Sequence, residues 1–183
     1  ALPIYFVDID DSEGPVYCFG GYLTMRDSIV HNPYTGDATH AKKGGATIQR
    51  CVFLGNNAPD TDGIDFDGVH GGVIEDCKLY RFQGSNSDGI DIGEGATDLL
   101  IQRNEIYFNS DKGVSVGQGS VATLRQNLIV GCVLGVGVKD TGSTAIIDQN
   151  TFVQCSTGVA VYEKNFGVGG GNAFITNTII SKA

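Results

Sequence analysis

The sequence predicts an all-β chain: a right-handed parallel β-helix, a solenoid of about six to seven turns forming a single domain over 1–183. Three observations predict it. A short motif recurs along nearly the whole chain, a second, glycine-led motif keeps step with it, and both alternate apolar and polar residues with a period of two. That period, held over four or five residues, marks a strand with one buried face. No stretch carries the spacing and capping signals of a three-turn helix.

The first motif appears as ATIQRCVF ending at Phe53, VIEDCKL at Leu79, LLIQRNEI at Ile106, ATLRQNLI at Ile129, AIIDQNTF at Phe152 and AFITNTI at Ile179. The intervals are 26, 27, 23, 23 and 27 residues, and a weaker copy, LTMRDSI, ends at Ile29. The second motif reads GIDFDG from Gly63, GIDIGEG from Gly89, GVSVGQG from Gly113, GVGVKDTG from Gly135 and GVAVYEKN from Gly158, at intervals of 26, 24, 22 and 23. Two phase-locked motifs imply that the repeating unit is one full coil. Each strand then pairs with its equivalent one coil above, about 4.8 Å away. Leucine-rich repeats share the period, but here the second element is a strand and not a helix.

Composition agrees. Glycine makes up 27 of 183 residues, with only 4 prolines and no Trp, against an average of about 7% glycine. Many tight corners joining Val- and Ile-rich strands account for this. Lys plus Arg is 12 and Asp plus Glu is 21, giving a net charge of −9, which argues against nucleic acid as a partner. No apolar run approaches the roughly 20 residues of a membrane helix, so no membrane partner is expected. Ala1 opens directly into LPIYFVDID, without a basic region or a cleavage site, as in a processed chain or an excised piece. Neither end shows a capping helix, which suggests a fragment of a longer protein, or self-association through uncapped solenoid ends.

Stacking columns follow from the repeat. Cys51, Cys77, Asn104, Asn127, Asn150 and Asn177 share one position, two before the terminal apolar residue. Asn in such a column passes amide hydrogen bonds from coil to coil. Cys132 and Cys155 share another position, and Cys18 stands alone. The cysteines read as small apolar core residues, although stacked pairs lie within disulfide range.

Polar residues concentrate in two consecutive coils. Aligning the glycines of Asp60-Thr61-Asp62-Gly63-Ile64-Asp65-Phe66-Asp67 and Asn86-Ser87-Asp88-Gly89-Ile90-Asp91 stacks Asp62 under Asp88 and Asp65 under Asp91, with Asp111 and Lys112 following. Like charges so placed repel by about 1–4 kcal/mol. A Ca²⁺ held by Asp65, Asp67 and Asp91, a shared proton, or Lys112 would offset this. Paired carboxylates also meet the need of glycoside hydrolysis for an acid and a base or nucleophile, and Asp62, Asp65, Asp88, Asp91 and Lys112 are the candidate catalytic residues. The plain alternative is a solvated corner of turn residues. His70 lies in the turn after the acidic strand. His31 and His40 fall in HNPYTGDATHAKKGG, read as a loop folded over the coil wall. Lys139, Glu163 and Lys164 continue this face upward as surface charges, Tyr162 reads as an aromatic able to stack on a sugar or simply as one of the aromatics common on a sheet face, and GVGGG from Gly167 as a flexible corner.

From about Leu23 to Ile179 this pattern resembles the pectin-lyase-like superfamily of right-handed β-helices. The resemblance implies an extracellular or surface-attached protein, many relatives of which bind or cleave acidic polysaccharides. Asp60-Thr61-Asp62-Gly63-Ile64-Asp65 resembles the N-T-D-G strand of polygalacturonase-type glycoside hydrolases, which makes Asp62 a catalytic carboxylate by resemblance. Ser87-Asp88-Gly89 stands where that family has paired Asp, Lys112 to Gly117 lacks its His, and no Arg-Ile-Lys motif is present. The later coils look like β-helix modules of large bacterial surface or secreted proteins. In a lyase, Lys112 would take the proton. The expectation is a secreted or cell-surface polysaccharide-associated module, binding or cleaving an extended glycan, with a structural or adhesin segment stabilised by Ca²⁺ as the alternative.

Overall fold

The computed structural model describes residues 3–182, which wind into a solenoid of about seven coils. All its strand pairings are parallel, and among the described residues there is no helix. The strands form a 13-stranded and an 8-stranded sheet. One coil runs Ile90–Gly93, Thr97–Gln102, then Glu105–Tyr107. In two coils the first two strands fuse, as Thr39–Gln49 and Ile64–Glu75, and carry the larger sheet around its bend.

Both motifs stack as their spacing requires. Ile64, Ile90, Val114, Val136 and Val159 pair in register, as do Phe53, Leu79, Ile106, Ile129 and Phe152. These side chains fill the core, with Val159 packing on it from its edge. The glycines exist for backbone approach. A Cβ on Gly63, Gly89, Gly113 or Gly135 would lie 2.5, 2.7, 2.7 or 2.4 Å from the carbonyl oxygen of the next glycine.

The amide column is a continuous ladder. Asn104 Oδ1 accepts from Cys77 N, Asn127 Oδ1 from Asn104 N and Nδ2, and Asn150 Oδ1 from Asn127 N and Nδ2. The last rung differs from the expected Asn177: Thr178 Oγ1 accepts from Asn150 N. Phe152 pairs with Ile180, so the final copy ends at Ile180 and not Ile179, with Asn177 at a positive-φ corner. The first copy slips likewise, since Val30 and not Ile29 pairs with Phe53. In both places two apolar residues adjoin, and the pattern alone does not choose between them. All five cysteines are free thiols.

The expected loop around His40 is largely strand. Thr39–Gln49 pairs with Ile64–Glu75, placing His40 on Asp65 and Lys42 on Asp67. Ala38, fully buried, stands where later coils have glycine.

Candidate functional site

Three outward columns cross the coils on the larger sheet. The first is Asp37, Asp62, Asp88 and Lys112. Asp37 Oδ1 accepts from Asp62 N at 2.8 Å, Asp62 Oδ1 from Asp88 N at 2.6 Å, and Asp88 Oδ1 from Lys112 N at 2.8 Å. Each aspartate thus ties its corner to the next coil. The second column is His40, Asp65, Asp91 and Ser115, and the third is Lys42, Asp67, Gly93, Gly117 and Lys139. Gly117 takes its place in the third column through its pairing neighbours Val116 and Val138.

The face is sheltered, because lysine stems lie across it. Lys112 Cδ passes 2.8 Å from where a Gly137 Cβ would stand, and Lys139 Cε 2.8 Å from that of Gly117. Lys112 Nζ is 3.3 Å from Asp88 Oδ1 and also meets Asp111, and Lys139 Nζ is 3.4 Å from Asp91 Oδ1. Only 5% of the Lys112 and Asp88 side chains is exposed, against 30% for Asp91. Ser115 Oγ, fully buried beside Asp91, has no hydrogen-bond partner. His40 lies among carboxylates, Nδ1 3.6 Å from Asp37, Nε2 3.4 Å from Asp65 and 3.3 Å from Asp67, with Tyr17 edge-on.

This crowding moves the proton affinities apart. Burial, then Asp37, Asp67 and Asp91, pushes Asp65 up to about 9. Burial followed by the Asp88 and Asp91 charges takes Asp62 well above the usual carboxylate range. Burial raises Asp88 to about 6, with Lys112 holding it back. Asp67 is lowered by His40 and Lys42, although burial acts against them. For Lys112, burial opposes the charge, but Asp88 and Asp111 outweigh it and the ammonium is favoured. Such an ammonium balances charge and is a poor proton acceptor for lyase chemistry.

The structure brings Asp62, Asp65, Asp88, Asp91 and Lys112 onto one face, with Asp67 beside them. It divides the expected Ca²⁺ donors: Asp91 groups with Asp62 and Asp88, and Asp65 with Asp37 and His40, ligand atoms lying within 4.8 Å in each group. Asp37 and His40 are members that the sequence did not single out, and Lys139, expected as a surface charge continuing this face, is buried against Asp91. Their signals were D-A-T-H aligned with D-G-I-D, and Lys139 two coils above Asp91. His70 bonds Thr97 on a neighbouring strand and stands apart from these columns.

The chain matches the description "right handed beta helix region" over residues 7–152 and, in an overlapping match, 38–183. It belongs to the right-handed β-helix family. No curated protein matches it in sequence. Among solved structures, the periplasmic alginate epimerase AlgG superimposes with a TM-score of 0.64 at 15% identity, over 98% of this chain and 50% of that one. The A-module of the mannuronan C-5 epimerase AlgE6 of Azotobacter vinelandii gives 0.55 at 14% identity, over 98% of this chain and 64% of that one. The β-helix thus spans less than two thirds of either neighbour. The likeness is one of fold, the pectin-lyase-like fold.

Proposed function

We propose that this β-helix hydrolyses an extended polysaccharide laid along the carboxylate columns. Asp65 is the proton donor, Asp91 is the nucleophile or base, and Asp62, Asp88 and Lys112 set the charge around them. The observation that carries this reading is the pairing of Asp65, pushed up to about 9, with Asp91, its register neighbour on the same sheet face. Asp65 holds a proton at neutral pH, and Lys139 Nζ lies 3.4 Å from Asp91 Oδ1 beside it. Adjacent coils lie about 4.8 Å apart. That is nearer the roughly 5–5.5 Å separation of retaining hydrolases than the roughly 6.5–9.5 Å of inverting ones. Neighbours named for alginate and mannuronan, one of them periplasmic, support a glycan substrate and a location outside the cytoplasm.

The test is reducing-end release from a panel of acidic and neutral polysaccharides. Asp65→Asn and Asp91→Asn are each expected to lower the rate at least about 100-fold. Unsaturated products would mean elimination, and no release from any glycan would overturn the hydrolase reading.

A second reading rests on the group of Asp62, Asp88 and Asp91 with the unpartnered Ser115 hydroxyl beside it. Oxygen donors so placed suit Ca²⁺, which would bridge the face to a sugar carboxylate. In that case Ca²⁺ raises the melting temperature of the parent protein and not of Asp91→Asn.

A further inference from the structure

A surface depression of about 580 Å³ lies on the smaller sheet, away from the carboxylate columns, and is lined by Lys78, Tyr80, Arg81, Glu105, Tyr107 and Phe108. Its volume falls in the range of about 300–1,000 Å³ common for small-ligand sites. Tyr80 and Tyr107 are register partners on strands Lys78–Tyr80 and Glu105–Tyr107. Phe108 follows in a positive-φ corner, its ring centroid 6.3 Å from that of Tyr107. The Phe108 ring is half exposed, and Gly131 makes room for it, since a Cβ there would come within 2.5 Å of Phe108 Cδ1.

The polar groups are arranged unequally. Glu105 is occupied by the Tyr107 hydroxyl at 2.8 Å and Lys78 Nζ at 3.3 Å. Arg50, Arg103 and Arg125 each meet an aspartate on this acidic chain. Arg81 meets no carboxylate among the described residues and lines the depression with its side chain exposed. A free guanidinium is a fork for a planar oxyanion, and aromatic walls take the C–H face of a ring.

We propose that this cradle is a second glycan site, one that binds a carboxylate-bearing sugar without acting on it: a pyranose ring rests on Tyr80, Tyr107 and Phe108 while Arg81 holds its carboxylate. A uronate residue has both parts, a flat apolar face and a charged edge. The proposal goes beyond the hydrolase reading and does not depend on it. The cradle holds no proton-donating carboxylic acid and shares no residue with the carboxylate columns.

The test is calorimetric titration of the whole chain with a short oligogalacturonate, a neutral cello-oligosaccharide of equal length and an oligoglutamate. Arg81→Gln and Phe108→Ala, both at exposed side chains, are each expected to weaken oligogalacturonate binding at least about tenfold. Asp65→Asn with Asp91→Asn should leave it within about twofold. The neutral sugar should bind more weakly than the uronate and be indifferent to Arg81→Gln. The proposal is overturned if oligogalacturonate does not bind, if Arg81→Gln and Phe108→Ala leave its affinity unchanged, if the double aspartate variant abolishes it, or if oligoglutamate binds as tightly. Failure here leaves reducing-end release by the carboxylate columns untouched, and loss of that activity leaves this binding untouched.

Discussion

Asn127 illustrates what one side chain does in a stacked coil. Its Oδ1 takes two hydrogen bonds from Asn104, and its Nδ2 reaches Ile101 O at 2.8 Å and Asn150 Oδ1 at 2.9 Å, all out of water. Asn127→Ala strips the acceptor from the Asn104 donors in the coil below and the amide donor from Ile101 O below and Asn150 Oδ1 above. Unmatched buried groups cost about 1–3 kcal/mol each, so we expect a loss of about 3 kcal/mol or more in urea unfolding, with the m-value unchanged. The column was legible because asparagines recurred at the coil period. Asp37 and His40 were not, because Ala38 takes the glycine place and hides the copy.

At the level of the strand, alternation foretold which residues face inward, but it could not foretell that the outward ones would be covered. Lys112–Val116 is buried at every position, on both faces. Its cover comes from the coil above, where Lys139 crosses Gly117, while Lys112 itself crosses Gly137. Neither crossing is written in either strand alone, and each needs a glycine beneath the lysine stem. Asp88 therefore sits dry against one ammonium. Lys112→Met would leave that carboxylate without its partner at a cost of about 3–5 kcal/mol. The loss should appear at pH 8 and shrink at pH 5, where Asp88, already raised to about 6 and higher still without Lys112, carries a proton. Urea titrations at the two pH values measure it. An equal loss at both would mean that Lys112 acts through its alkyl stem alone.

For the whole rod, the carboxylate columns set how stability follows pH. Asp37, Asp62, Asp65 and Asp88 all hold protons in the folded state that the unfolded chain releases near the usual carboxylate value of about 4. Stability from a raised group is complete below that value and is lost as pH climbs to the folded one, about 6 for Asp88 and about 9 for Asp65. Asp27, Asp67 and Asp76 are lowered by Arg50, by His40 with Lys42, and by Arg103, so their contribution holds above about 4 and fades in stronger acid. The two trends cross on the acid side of neutrality. The melting temperature should peak near pH 4–5 and decline to pH 9, by about 2–4 °C for each kcal/mol lost in a chain of this size. Asp65→Asn should flatten the alkaline limb, because an amide carries no charge to bury. Ca²⁺ at Asp62, Asp88 and Asp91 should flatten it as well, by replacing protons with a bound cation. Melting curves recorded in chelator, with and without added Ca²⁺, separate these effects. A profile level from pH 5 to 9 in chelator would mean that the stacked aspartates are hydrated and not packed against one another, and the proton donor assigned to Asp65 would go with them.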